Sequence, residues 1–166
     1  MISTDIYSST NPALCSIVLW SFLKGFEEQN KDGCEFPIIL LTLPISLSNK
    51  VRETFKGTSN ATGLLTWLSR GPQSLIGLPQ RIETSSSFTK DAIIFGINNK
   101  IIDIDNKTGK LKSNNSGLTQ SKLNNILKSE KASELKDIML ISKRFGNWCG
   151  QLQSSIIIYN VMGLSL

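Results

Sequence analysis

The sequence predicts a mainly α-helical, winged-helix-like single domain carrying one small β-hairpin. Three observations predict it. Most segments show apolar residues at helical spacing, set off by capping and breaking signals. One stretch, Lys100–Lys112, changes to a two-residue period. The 166 residues, 40% of them apolar, can bury one sizeable core.

The elements follow in order. Asn11-Pro12 is a helix start: Asn caps free N–H groups and Pro suits the first turn. From Ala13 to Phe26 only a narrow polar stripe remains, so this helix is largely buried. Asn30–Gly33 is a loop. Phe36–Leu43 reads as buried helix or buried strand; helix is favoured, ended or kinked by Pro44. Ser48 or Asn49 caps a short helix running to Phe55. Asn60 or Thr62 opens another, with Leu64, Leu65 and Leu68 on one face and Gly71-Pro72 closing it. Gln73–Thr84 and Phe88–Asn98 read as two helices broken near serines 85–87. Ile102 to Asp105 alternates, Asn106-Lys107-Thr108-Gly109 is a turn, and Leu111 resumes the apolar face, which makes a hairpin. Thr119–Lys131, Ser133–Cys149 and Ser154–Met162 are three further helices. The chain thus divides into a helical part (11–98), a hairpin wing (99–117) and C-terminal helices (118–166) within one domain (1–166).

The chain contains no histidine. Histidine is the commonest neutral-pH acid/base and metal ligand, so its absence removes the Ser-His-Asp and Cys-His systems, the His-bearing zinc sites and the facial iron triad together. No G-x-x-x-x-G-K-[ST] phosphate loop is present. The expectation is a non-enzyme without cofactor or metal. Cys15, Cys34 and Cys149 show no C-x-x-C pairing, which points to buried thiols in a reducing, cytoplasmic compartment. Met1–Thr10 has neither the basic nor the apolar region of a signal peptide, and the longest apolar run is too short to span a bilayer.

The net charge is +5. Between Asn106 and Ser129 stand five lysines and no acid, a charge equal to the whole excess. Lys107, Lys110 and Lys112 on the wing and Lys122 beyond it are candidates for contact with nucleic-acid phosphates; a solvated hairpin tip is the plainer alternative. Asp103 and Asp105 share a strand face, but two carboxylates alone make an exposed strand before they make a cation site.

Ordered short motifs carry a resemblance: Asn11-Pro12-Ala13, Leu19-Trp20, Gly25-Phe26, Leu43-Pro44, Lys50 with Arg52, Trp67-Leu68, Phe88-Thr89-Lys90-Asp91-Ala92 and Lys143-Arg144-Phe145-Gly146-Asn147-Trp148. Over about residues 11–164 this frame resembles the middle-component family of three-component ABC-ATPase systems, like the small subunit of Lamassu-type antiphage defence. The resemblance implies an accessory subunit that holds an SMC/Rad50-like ATPase and a nuclease-like effector in one complex, with DNA as the trigger and no membrane involved. Trp20, Phe26, Arg144, Phe145 and Trp148 are the candidate partner contacts, since Trp and Arg dominate interface hot spots. The plainer reading of the Lys143–Trp148 segment, and the one favoured, is a helix end with its aromatics in the core. A stand-alone winged-helix DNA binder is the rival function.

Overall fold

The computed structural model describes residues 11–128 and 132–166. Nine α-helices, one 3-10 turn and one hairpin occupy them. All parts of the chain contribute to one continuous apolar cluster, from Cys15 to Met162.

Helix α1 (Pro12–Gln29) runs through the middle of the molecule. Asn11 caps it as expected, its side chain accepting from the Ala13 N–H at 3.0 Å. The chain then turns through Gly33, whose φ of +102° favours glycine.

Phe36–Ser46 is helical but divided into α2 (Phe36–Ile39) and α3 (Thr42–Ser46). The interruption falls at Leu40–Leu41, one turn before Pro44, while Pro44 sits inside the first turn of α3. This placement is what a proline ring imposes: it offers no N–H to the carbonyl four residues back and crowds it. The first turn is where a missing N–H costs nothing.

Ser48 caps α4 (Asn49–Glu53), accepting from the Val51 N–H. Helix α5 (Gly63–Arg70) buries Leu64, Trp67 and Leu68. Leu65 is instead 61% exposed, because one residue's rotation carries it off the seam that Leu64 and Leu68 share. A 3-10 turn (Pro72–Leu75) follows Gly71.

The expected break near serines 85–87 does not exist. Helix α6 (Leu78–Asn98) runs straight through them for 21 residues. Ser85 and Ser86 donate their hydroxyls to the carbonyls of Ile82 and Glu83, so their polar groups are satisfied inside the helix. The segment from Gln73 does not join this helix either; α6 starts only after Gly77, in the left-handed region.

The hairpin forms as predicted: β1 (Ile102–Ile104) pairs antiparallel with β2 (Leu111–Ser113). Asp105 accepts from the N–H groups of Lys107 and Thr108, and Gly109 takes a φ of +71°. Cys34 exchanges both backbone hydrogen bonds with Leu111, which ties the hairpin to the loop after α1. Helix α7 (Gln120–Ile126) is capped by Thr119. The predicted continuation to Lys131 stops early: Leu127 and Lys128 form a turn, and residues 129–131 lie outside the described residues. Helices α8 (Ser133–Leu152) and α9 (Ser155–Val161) complete the chain.

The most extensive contact between two elements of the fold is between α1 and α8. A Cβ placed on Gly25 would stand 1.9 Å from the Lys143 carbonyl oxygen. One on Gly146 would stand 2.1 Å from the Phe22 oxygen, and one on Gly150 2.6 Å from the Phe26 oxygen. Ser21 Oγ donates to the Met139 carbonyl at 2.7 Å, and Ser142 Oγ to the Val18 carbonyl at 2.9 Å. Ser142, Gly146 and Gly150 recur every fourth residue, so they share one stripe of α8 and let the two backbones touch.

Candidate interaction surfaces

The candidate partner residues divide sharply between core and surface. Phe26, Phe145 and Trp148 are each 0% exposed. They belong to an aromatic cluster: Phe145 lies 5.8 Å from Phe22 and 6.1 Å from Trp67 between ring centroids. Trp148 stacks on Phe55 at 5.2 Å. Contact with a partner in this conformation is therefore corrected to a core role for these three. The cause is helical spacing, which turns Phe145 and Cys149 toward the interior.

The same helix holds the 54–62 loop. Trp148 Nε1 donates to the Ser59 carbonyl at 3.0 Å, Arg144 Nη1 to Thr58 Oγ1 at 3.1 Å, and Gln151 Nε2 to the Asn60 carbonyl at 3.3 Å. Residues 144, 148 and 151 lie on one side of α8. Next to them, Lys143 and Asn147 both reach Glu28 of α1, at 3.1 and 2.8 Å. Lys143–Trp148 thus locks three parts of the fold together, and only Arg144 of the three candidates in it keeps a half-exposed side chain.

Trp20 is also half-buried, on the outer side of α1. Lys24 places its ammonium 5.8 Å from the ring centroid. The Trp20 Nε1 atom is shielded and has no hydrogen-bond partner among the described residues.

The candidate nucleic-acid lysines Lys107, Lys112 and Lys122 are exposed and Lys110 is half-exposed. None forms an ion pair among the described residues. The hairpin brings acids beside them: Asp103 stands opposite Lys112 in the register, and Asp105 closes the turn. Over 102–113 three lysines face two aspartates, leaving one net positive charge. The acid-free stretch of the sequence is thereby partly neutralised in space, because strand pairing folds the preceding acids back on it.

The three thiols are buried and form no disulfide among the described residues. Burial pushes Cys15 up to about 11 and also raises Cys34 and Cys149. Asp103 and Asp105 are used locally: Asp103 accepts from Asn114 Nδ2 at 2.9 Å and Asp105 caps the turn. Among the described residues no cluster of three metal-ligating side chains occurs.

Sequence reasoning missed a cleft of about 410 Å³ between α4, the 3-10 turn and the start of α6. Lys50, Val51, Ile76 and Arg81 are among its lining residues. Lys50 was visible only as half of a short basic motif. That it shares a cleft with Arg81 depends on the turn at Gly71–Gly77, where Gly71-Pro72 marks the end of a helix but not the direction the chain then takes.

The architecture is that of a small, mainly helical domain with one two-stranded antiparallel hairpin. The family model for Middle Component 3 of ABC-three component (ABC-3C) systems matches residues 1–166, and the chain belongs to that family. No curated protein and no solved structure matches it. Membership makes the chain a component of a system that includes an ABC ATPase. Among the described residues no helix is long and apolar enough to cross a membrane.

Proposed function

We propose that this chain is a non-catalytic bridging subunit. It holds an SMC/Rad50-like ATPase together with a nuclease or other effector in a cytoplasmic, Lamassu-type antiphage complex. The observation that carries this reading is the family match over the whole chain. The surface supports it: Trp20 and Arg144 are half-exposed members of the residue types enriched at hot spots. Leu65, Leu140 and Ile156 leave about 60% of their area in water. The test is co-expression with the ATPase and effector encoded beside it. A single stable complex on size exclusion supports the reading; a chain that elutes alone under all conditions sinks it.

The unpaired lysines favour a second reading, DNA contact through a winged-helix-like hairpin. Each phosphate contact adds about 0.9 to the salt slope of binding to duplex DNA. Reversing Lys107, Lys110, Lys112 and Lys122 to Glu lowers that slope if the wing touches phosphates. An unchanged slope removes the wing, and with it the stand-alone DNA binder.

A further inference from the structure

We infer that the cleft between α4 and the start of α6 receives an acidic side chain, flanked by an apolar one, from another protein component of the ABC-3C complex. The inference rests on the bridging role proposed above and assigns it a surface.

The charged groups lining the cleft are Lys50 and Arg81, and no carboxylate lines it. Neighbouring cations are treated differently. Arg52 pairs with Glu134 at 2.8 Å, and Lys56 pairs with Glu53. Lys50 is exposed and forms no ion pair among the described residues, although Arg52 of the same short helix does.

Arg81 is half-buried. Its guanidinium donates to the carbonyls of Pro44 at 3.1 Å and Ser74 at 3.0 Å. A guanidinium has five N–H donors, and here neutral oxygens take only two of them. Burial lowers the Arg81 pKa, and no anion among the described residues offsets that cost. Gly77 brings the start of the 21-residue α6 to the same cleft, without a side-chain cap or an acid in the first turn. The positive field therefore has three sources, and no carboxylate among the described residues lines the cleft.

The apolar part of the lining decides between protein and nucleic acid. Val51 is buried on the wall and Ile76 is 77% exposed on the rim. A phosphate backbone brings nothing apolar to cover Ile76. No aromatic lines the cleft, so a base has nothing to stack on. A protein segment carrying Asp or Glu beside an apolar residue satisfies both halves of the lining.

The test titrates the purified ATPase and effector components, each in turn, onto the immobilised full chain. Lys50→Glu places a like charge against the incoming carboxylate, and Ile76→Asp removes the apolar contact while adding another. Lys50 holds no hydrogen bond or ion pair among the described residues, so the fold survives, which an unchanged melting temperature confirms. The proposal expects each change to weaken the Kd for one component by at least about tenfold. It also expects wild-type affinity to fall with added salt. If the wild-type chain binds neither component, the bridging role itself fails. If it binds and both variants bind equally well, the cleft is not the site. If Lys50→Glu instead weakens duplex-DNA binding and spares the protein partners, the nucleic-acid alternative replaces it.

Discussion

Replacing Gly146 by Ala tests the packing on which the fold depends. The new Cβ would lie 2.1 Å from the Phe22 carbonyl oxygen and 3.1 Å from the Phe26 N–H nitrogen. The first distance is about 0.9 Å short of the 3.0 Å that Cβ atoms keep. Both obstacles are backbone, so no side chain can rotate away. Helices α1 and α8 must part, and the Ser142–Val18 hydrogen bond and the Phe22–Phe145 contact lie on the same seam. Overpacking of this kind costs about 1–3 kcal/mol, and a backbone-on-backbone clash belongs at the upper end. Against it stands the higher helix propensity of Ala, worth about 0.8–1 kcal/mol. The net loss is roughly 1–2 kcal/mol, or a fall of about 2–8 °C in melting temperature for a domain of this size. Thermal unfolding followed by circular dichroism measures it. A variant that melts at or above the wild-type temperature would refute the reasoning, because helix propensity alone predicts that sign.

Other consequences follow from single contacts. Trp148→Phe removes the donor to the Ser59 carbonyl and shrinks a fully buried ring, so urea unfolding should show a loss of about 1–3 kcal/mol; Trp20→Phe, whose Nε1 makes no such bond, should cost clearly less. Asp105 is held below its ordinary value of 3.8, first by the Lys107 and Thr108 N–H bonds, so the ionised form stabilises the turn. That contribution is present above about pH 4 and is lost as the pH falls through the lower folded value; carboxyl NMR titration should place the Asp105 midpoint under 3.8. The three buried thiols should resist a thiol reagent in the native state at pH 8 and all react in denaturant; fast labelling of native protein would contradict their burial.

Much of this fold is legible in the sequence because local chemistry decides it. Asn11-Pro12, Thr119 and Gly109 act through atoms a few residues away, and each does what its type predicts. The errors arise where local signals meet a larger context. Three serines in a row suggest a break, yet α6 absorbs two of them by bonding back to its own carbonyls. Leu65 counts as apolar in the sequence, but its rotation about the helix decides its exposure. Phe26, Phe145 and Trp148 look like hot-spot residues, while long-range packing assigns them to the core. The Ser142, Gly146 and Gly150 stripe was present in the sequence as a four-residue repeat of small residues, and only α1 lying across it gives it meaning. Likewise Lys50 and Arg81 become one site only through the turns between them.

Family membership makes this chain a component of an ABC-three component system, and the role proposed for it there is bridging. Omit-one co-expression tests that claim most directly. The ATPase, the effector and this chain are produced together, and then the first two without it, with a tag on the ATPase. Bridging predicts that the effector co-purifies with the ATPase only when this chain is present. Equal recovery of the effector in its absence would contradict the account.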